Sequence, residues 1–587
     1  MKLEPTILGE PMGKTESGRR FLLDALILGG IWILFIAMIN PVGEFPLNDD
    51  WNYGIAVQQI LDQHDFRPPT ASCPLFTHAL WGALFCIPSG FSYETLRFSN
   101  QFAGYLGLLV AYSLIREFKG SRFLAIVTAI TLSLNPCYLG ISNTFMTDVS
   151  FTAIFGLAAL FFVRALKQDS LRYIVFGTIA SLIAILNRQL GLALPVGFAV
   201  AYVLKSGVSK DSLFRSIAPV IVCFGLYFSF NQWMKITGRT PVFYEAFESI
   251  VFERLKSGGI LIALFRSSER VLLYLGWFLF PVFILVYGYL FPGNSGYRSP
   301  WRRLPWVVSF LLVSVSVSLW RSGINWSTGD NLLPRGGGWI YREGLGPFKL
   351  TDTFRLRLQQ LDPIDYFYWF PATCFGLLGA AMLVAFVLYF LMNHRKTLSL
   401  RKMQAEQSAV AFLLAVVVIY FAPILLMSWF DRYLIPVFPV LAAFGASFLQ
   451  AEGYREVFGR KYVRLICGAA SCMALIWIGY LSIVGTRDYF TWNRLRWEIA
   501  NELLAGGKAS DPKQIDAGEE YNALSIFGED HRMLPDQKLS EAFDGNRPWA
   551  ITFGKMPGYS VVKEFPYSNG IPRGTRKLYL LQKEPSS

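Results

Sequence analysis

Apolar runs of about 17–25 residues recur along most of this chain, and each is long enough to cross about 30 Å of hydrocarbon. Only 16% of the 587 residues are charged, against about 25% in an ordinary soluble domain. The runs are continuous and do not alternate with a period of two, which disfavours a β-barrel. The sequence therefore predicts an all-α polytopic membrane protein.

We predict about 13 membrane-spanning helices from these runs. Lys14, Arg19 and Arg20 precede the first run, and no small-residue cleavage site follows it. We therefore interpret this run as a retained helix with a cytoplasmic N-terminus and not as a cleaved signal peptide. The predicted spans are 21–40, 95–115, 122–140, 147–166, 171–187, 189–205, 214–235, 270–291, 304–320, 366–392, 408–428, 432–450 and 462–484.

The basic residues give a net charge of +13, but they are scattered through short loops between the runs. That distribution is typical of the positive-inside rule, and it disfavours nucleic acid as a partner. The first outer loop, residues 41–94, has Arg67 as its one basic residue, which predicts that it lies outside the cytoplasm. Two further outer loops contain several basic residues. Residues 236–269 have the pattern of an amphipathic helix in the interface, and the glycine-rich residues 321–365 are predicted to form a mobile loop.

The composition becomes polar after residue 484. We therefore divide the chain into a transmembrane domain over 1–484 and a small C-terminal α+β domain over 485–587, which has helix-like and strand-like segments. An odd number of spans puts this domain on the side opposite the N-terminus, which is the periplasm for a bacterial inner membrane.

The cysteines and histidines give no metal-binding pattern. Four histidines are present, none paired at ligand spacing, and the seven cysteines contain no Cys-x-x-Cys. The sequence thus shows no zinc-ligand set of the usual kind. Cys73 and Cys86 share the first outer loop, and we expect them to be free, small, buried side chains and not a disulfide.

Two adjacent carboxylates, Asp49 and Asp50, follow the first predicted span. Because burial of one charge in lipid costs about 2.5–3.5 kcal/mol, this pair belongs in water or in a protected polar cavity. One of them can cap the helix predicted to begin near Trp51. A single cap needs one acceptor, however, and two adjacent carboxylates raise at least one pKa towards the range of a general base. Helix capping and catalysis both remain open for this pair.

Three more charged residues fall at predicted outer ends of spans. Asp148 begins the fourth span, where it competes with Thr147 as a cap. Arg188 and Arg432 lie in very short outer turns. They either extend towards lipid headgroups, as the neighbouring Trp429 and Tyr433 suggest, or form a clamp for an anion such as phosphate. Asp431 is an alternative partner that would neutralise Arg432.

The order of these motifs resembles the GT-C glycosyltransferases, in particular the protein O-mannosyltransferase (family 39) branch and the aminoarabinose transferase of lipid A. The resemblance covers roughly residues 20–484 and depends on the order and sidedness of three short motifs. They are Asp49-Asp50-Trp51-Asn52-Tyr53, Met146-Thr147-Asp148 and Arg432-Tyr433-Leu434-Ile435-Pro436.

The resemblance implies transfer of a sugar, with inversion, from a polyprenyl-phosphate donor to a hydroxyl acceptor on a lipid, a glycan or a protein. It implies Asp49 as general base, since Tyr53 then falls where the family often has Tyr. Asp50 and Asp148 match supporting positions that orient the acceptor or a cation, and Arg188, Arg432 and Tyr433 match positions that contact the lipid phosphate. The pair here is Asp-Asp where the family has Asp-Glu, so the sequence leaves a divalent cation undecided.

Two other functions stay open at this point. A transporter or flippase of a lipid-linked or anionic substrate would use the same arginines, but it favours charges near the bilayer midplane and inverted repeats. A non-catalytic relative would keep the fold and serve as a scaffold or receptor. In every case membrane lipids surround the chain.

Overall fold

The computed structural model describes residues 14–68, 70–241, 244, 260–290, 332–335, 337–398, 403–426, 429–449, 461–527 and 546–585. The predicted span 304–320 and most of the predicted interfacial helix in 236–269 lie outside these residues. Within them the chain is mostly helical, with two small sheets, so the predicted fold class is confirmed.

Helices make up most of the described part of the chain. They are α1 (Lys14–Ile39), α2 (Asp50–Gln63), α3 (Phe76–Cys86), α4 (Tyr93–Glu117), α5 (Arg122–Ser133), α6 (Pro136–Ser142), α7 (Thr147–Gln168), α8 (Leu171–Asn187), α9 (Ala193–Ser206), α10 (Lys210–Ile236), α11 (Ile260–Leu290), α12 (Thr351–Phe354), α13 (Tyr366–Leu398), α14 (Ala405–Leu426), α15 (Phe438–Ser447), α16 (Lys461–Ala505) and α17 (Glu519–Phe527). Short 3-10 helices precede α9 (Gln189–Leu192) and α15 (Asp431–Val437).

Eight helices in the described part of the chain are long and apolar enough to cross a membrane, or nine if the bent pair α5–α6 forms one span. The chain is therefore a multi-pass membrane protein. Each predicted span that falls on described residues coincides with a helix or with a 3-10 and α-helical pair. The total of about 13 spans remains a prediction.

Two elements differ from a simple series of straight spans. The predicted span 122–140 bends by 65° between α5 and α6, because Pro136 starts a new helix and the Asn135 side chain accepts hydrogen bonds from the backbone N–H groups of Cys137 and Tyr138. The last span does not end at residue 484, since α16 is one helix of 45 residues that ends at Ala505. It therefore enters the polar segment as a single helix.

Small residues allow the closest helix contact in the described transmembrane region. At Gly276 of α11, a Cβ atom would clash with the backbone of Gly376 and Ala380 in α13. Glycine at this position lets the two backbones approach, as is common between membrane helices. Farther along, the 3-10 helix Asp431–Val437 packs against α7, which brings residues from two distant parts of the sequence together.

In its described part, the polar C-terminal segment consists of the end of α16, helix α17 and a four-stranded mixed sheet. The hairpin β1 (Ile340–Tyr341) and β2 (Gly344–Leu345) belongs to the predicted outer loop 321–365, and the C-terminal sheet has the order β3-β4-β6-β5 with β3 (Ile515–Asp516), β4 (Trp549–Thr552), β5 (Tyr559–Gly570) and β6 (Arg573–Lys583). Helix α17 lies against the first outer loop, where Phe527 stacks on Trp51 with ring centroids 5.8 Å apart. The division at residues 484 and 485 stays a proposal.

Candidate active site

Four chain segments meet beside the start of α2. They are the acidic pair, the start of α7, the turn after α8 and the 3-10 helix before α15, and together they place Asp49 and Arg432 against each other and Arg188 against Asp148. These are the outer ends that the charge pattern predicts to lie on one side. Folding thus brings residues from positions 49 to 433 into one site.

Asp49 is the N-cap residue of α2, but its side chain makes no capping hydrogen bond. One oxygen, Oδ1, lies 3.4 Å from the ammonium of Lys349, and Oδ2 lies 3.7 Å from the guanidinium of Arg432. The side chain keeps 32% of its exposure, so a reacting group can reach it. Burial tends to raise the pKa of this carboxyl, but Lys349 and Arg432 outweigh burial and hold the pKa below its ordinary value. Asp49 is therefore an ionised acceptor at neutral pH.

Asp50 has a different environment although it is the next residue. Its side chain is buried, and its two oxygens accept hydrogen bonds from the backbone N–H groups of Phe145, at 2.8 Å, and Leu47, at 3.2 Å. Burial raises the pKa of Asp50 to about 8. These contacts tie the first outer loop to the loop before α7, so they position Asp49 and do not direct Asp50 at a substrate.

Asp148 and Arg188 form a buried ion pair. Asp148 Oδ2 lies 3.0 Å from the guanidinium of Arg188, and Arg188 Nε also donates to Thr147 Oγ1 at 2.7 Å. The side chain of Asp148 does not cap α7. The Arg188 guanidinium lies 5.2 Å from the ring centroid of Tyr433, which gives it a fixed plane. Arg188 is thus held inside the protein and does not extend to lipid headgroups.

Arg432 is not neutralised by its neighbour Asp431. The Asp431 carboxylate accepts hydrogen bonds from the backbone N–H groups of Trp339 and Ile340, at 2.9 and 2.7 Å, and from that of Arg432. The Arg432 side chain is 10% exposed, and its Nε has no hydrogen-bond partner among the described residues. A buried guanidinium N–H without an acceptor is costly, so this group is available to an anionic ligand.

The two arginines line a small cavity of about 80 Å³, and one of them, Arg432, also contacts Asp49. Its polar wall consists of Tyr53, Arg188, Arg432 and Tyr433, together with Ser72, Cys73 and Gln189. Its apolar wall consists of Leu190 and, from α14, Pro423 and Ile424. The cavity therefore has two cationic side chains on one wall and apolar side chains on another.

Lys349 and Glu519 are site residues that the sequence did not indicate. Lys349 Nζ lies 3.1 Å from Glu519 Oε2 in addition to its contact with Asp49, and the backbone N–H of Asn48 donates to Glu520 at 2.9 Å. Burial lowers the pKa of Lys349, but Glu519 and Asp49 raise it above its ordinary value. Residues 349 and 519 are far from residue 49 in the sequence and share no local pattern with it. A single sequence therefore gives no indication that they lie beside Asp49.

The cysteines of the first outer loop are not joined by a disulfide. Cys73 and Cys86 are both free and buried. Among the described residues, no group of three or more His, Cys, Asp or Glu side chains is arranged to hold a metal ion.

The chain can now be compared with known proteins. Residues 72–233, less than half of the chain, match the family model described as dolichyl-phosphate-mannose-protein mannosyltransferase. The matched segment contains Asp148 and Arg188, and it does not reach Asp49 or Arg432. The chain therefore resembles the GT-C glycosyltransferases of the protein-mannosyltransferase branch, which confirms the resemblance seen in its motifs.

Three solved structures are similar to this chain. ArnT from Cupriavidus metallidurans bound to undecaprenyl phosphate has 12% identity and a TM-score of 0.43, with 98% of this chain and 100% of that chain covered. The apo oligosaccharyltransferase of Archaeoglobus fulgidus has 15% identity and a TM-score of 0.40, with 82% and 57% covered. The oligosaccharyltransferase AglB of that organism, in complex with an inhibitory peptide and a dolichol-phosphate, has 15% identity and a TM-score of 0.38, with 83% and 59% covered. No curated protein sequence matches the chain.

Proposed function

We propose that this protein is an inverting membrane glycosyltransferase that moves a sugar from a polyprenyl-phosphate donor to a hydroxyl acceptor. One observation carries the proposal. The Asp49 carboxylate makes no capping hydrogen bond and lies 3.7 Å from the buried Arg432, whose Nε has no hydrogen-bond partner among the described residues. A general base and a phosphate-binding cation are thereby placed side by side, as sugar transfer from a lipid phosphate requires.

The cavity of about 80 Å³ fits the phosphate of the donor. Arg432 and Arg188 offer planar forks of N–H donors, which suit phosphate oxygens. Tyr433 fixes both guanidinium groups with its ring, at 5.2 Å from Arg188 and 5.8 Å from Arg432. The apolar wall of Leu190, Pro423 and Ile424 suits the first part of a polyprenyl chain. The description of the matching family names a donor of this class, a dolichyl-phosphate sugar.

The reaction follows from these positions. Asp49 accepts the proton of the acceptor hydroxyl while that oxygen forms a bond to the anomeric carbon. The bond from the anomeric carbon to the phosphate oxygen breaks at the same time, and the phosphate leaves with the electron pair. Because the acceptor attacks opposite the leaving group, the anomeric configuration inverts. Arg432 and Arg188 stabilise the charge that develops on the phosphate.

The remaining predicted site residues have supporting roles in this proposal. Asp148 holds the Arg188 guanidinium in place. Asp50 fixes the loop that presents Asp49, and Tyr53 lines the donor cavity one helical turn after Asp49. A role for a divalent cation is left to experiment.

We place the site at the outer face of a bacterial-type inner membrane, with the N-terminus in the cytoplasm and the C-terminal domain in the periplasm. The support is the charge asymmetry of the loops. The C-terminal domain then covers the site, since Glu519 reaches Lys349 and Glu520 reaches Asn48.

The test uses purified protein in lipid nanodiscs with polyprenyl-phosphate sugars that differ in their sugar, and with cell membranes as a source of acceptors. Release of free polyprenyl phosphate is followed by mass spectrometry. We expect release that is lost in Asp49→Asn and in Arg432→Ala. The matched controls are Asp65→Asn and Arg67→Ala, which remove another acidic and basic pair, 2.8 Å apart, from the same outer loop. Absence of release with every donor would favour a transporter or a scaffold.

A further inference from the structure

A second cavity is lined by Lys349, the residue whose ammonium contacts Asp49. Its volume is about 440 Å³. Lys349, Phe354, Arg355 and Arg357 line it from the predicted outer loop 321–365, and Glu519 and Asn522 line it from α17. None of the lining residues from this loop belongs to the motifs that the sequence indicated.

Lys349 connects this cavity to the proposed base. Its ammonium contacts Glu519 at 3.1 Å in the cavity wall and Asp49 at 3.4 Å behind that wall. Arg432 contacts the other oxygen of Asp49 and lines the donor cavity. Asp49 therefore contacts one lining cation of each cavity, Lys349 from the larger and Arg432 from the smaller. That is the position that a base between donor and acceptor has to occupy.

The larger cavity has an excess of positive charge. Lys349 is balanced by Asp49 and Glu519. Arg355 and Arg357 are exposed, and neither guanidinium has an ion pair or a side-chain hydrogen bond with the residues that the structure describes. The ring of Phe354 is 54% exposed beside them. Two unbalanced guanidinium groups next to an open aromatic ring suit a sugar or polyol with an anionic group.

The segment with these arginines is fixed to the C-terminal domain. Asp352 accepts hydrogen bonds from the backbone N–H groups of Phe553, at 2.9 Å, and Gly554, at 3.1 Å. The backbone N–H of Glu519 donates to the carbonyl of Lys349 at 3.0 Å. The cavity is thus framed by groups that hold their positions without a ligand, which lowers the entropic cost of binding.

We propose that this cavity binds the acceptor, and that the acceptor has a phosphate group in addition to the hydroxyl that is glycosylated. Arg355 and Arg357 bind the phosphate, Phe354 packs against the ring or carbon chain, and the hydroxyl reaches Asp49 past Lys349. This inference rests on the proposed function. The phosphate belongs either to a lipid headgroup or to a soluble compound, and the experiment separates these sources.

The first measurement is binding, which does not need turnover. Glucose 6-phosphate, glucose and inorganic phosphate are titrated calorimetrically into the full-length protein in nanodiscs of phosphatidylcholine. We expect glucose 6-phosphate to bind at least tenfold more tightly than glucose, and Arg355→Gln/Arg357→Gln to abolish that preference. Arg573→Gln, an exposed arginine that does not line the cavity, is the matched control and should keep it. Competition when phosphatidylglycerol is included in the nanodiscs assigns a lipid headgroup, and lack of competition assigns a soluble phosphate.

The second measurement is transfer with membrane acceptors under the assay described above. The double variant should raise the apparent KM for the acceptor at least tenfold and leave donor affinity within about twofold of the unmodified protein. Equal binding of glucose and glucose 6-phosphate, or a preference unchanged in the double variant, overturns the acceptor site. Normal binding without release of polyprenyl phosphate from any donor overturns the proposed function and leaves the anion site standing.

Discussion

Replacement of Lys349 by Met tests whether the pKa of Asp49 depends on a residue outside the three sequence motifs. The substitution keeps the length and the apolar part of a side chain that is 9% exposed, and it removes the ammonium 3.4 Å from Asp49. At an effective dielectric constant of about 20, two unit charges at that distance attract by about 5 kcal/mol. This is an upper bound, because Asp49 is 32% exposed and the ammonium is shared with Glu519.

The expected change in acidity is smaller than this bound. A cation within about 4–6 Å changes a carboxyl pKa by about 1–3, and Arg432 remains in place beside Asp49. We therefore expect the pKa of Asp49 to rise by about 1 in Lys349→Met, which corresponds to about 1.4 kcal/mol. A base must be deprotonated to act, and a higher pKa keeps it protonated to a higher pH. The acid limb of the pH–rate profile should consequently move upward by about one pH unit.

The assay is the initial rate of polyprenyl phosphate release between pH 4 and pH 9 in nanodiscs with saturating donor. Lys349→Arg keeps the charge and should keep the profile, and Lys513→Met removes an exposed lysine elsewhere in the C-terminal segment. Glu519→Gln should have no upward effect on the acid limb of the pH–rate profile. Because this variant leaves the Lys349 ammonium to Asp49 alone, the acid limb should move downward or stay in place. A profile that is equally reduced at every pH in Lys349→Met would refute the reasoning, because it would indicate damage to the structure and not a change in acidity.

Three further predictions concern groups around the site. Gly518 has a φ of +95°, and a Cβ there would meet Arg496 at 2.5 Å and the carbonyl of Lys349 at 2.8 Å. Gly518→Ala should therefore lower the melting temperature and reduce the release of polyprenyl phosphate. Gly507 also has a positive φ but has open space around it, so Gly507→Ala should affect the melting temperature alone. Asp50→Asn replaces one acceptor of a backbone N–H with a donor and should cost about 1–3 kcal/mol of stability, measured by denaturant unfolding. The variant should lose less release of polyprenyl phosphate than Asp49→Asn does. An equal loss in both variants would assign chemistry to Asp50. Burial raises the pKa of Asp352 from 3.8 to about 7, so the folded protein binds this proton more tightly than the unfolded chain and loses stability as pH rises between these values. Asp352→Asn should remove that part of the pH dependence of thermal unfolding. A pH dependence that is unchanged in this variant would contradict the assignment.

The membrane-spanning helices could be predicted because the requirement for them is local. About 30 Å of hydrocarbon needs about 20 apolar residues with internally satisfied backbone groups, whatever the rest of the chain does. The bend at Asn135-Pro136 was not predicted, although its residues are a helix cap followed by a proline. The continuation of α16 to Ala505 was missed because the change to polar composition at residue 484 does not coincide with the end of the helix.

The candidate site could be predicted in part. The positions of Asp49, Asp148, Arg188 and Arg432 were indicated because a charge at the end of an apolar run is expensive unless it has a function. The choice between a cap and a base for Asp49 and Asp50 could not be made, since both have the same chemistry and adjacent positions. The choice between Asp431 and Asp49 as partner of Arg432 was also open, and the hydrogen bonds from Trp339 and Ile340 to Asp431 decide it.

The sequence by itself determined the fold class and the chemical types of the charged residues at the ends of the helices, and it predicts the sidedness of the loops. Hydropathy and charge count act residue by residue, so one chain is enough to see them. Only the tertiary structure decided which carboxylate of the pair is an ionised acceptor, that Arg432 has a buried N–H without a partner among the described residues, and that Lys349 and Glu519 lie at the candidate site. These properties depend on distances between residues hundreds of positions apart, because both burial and Coulomb interactions are set by neighbours in space and not by neighbours in the chain.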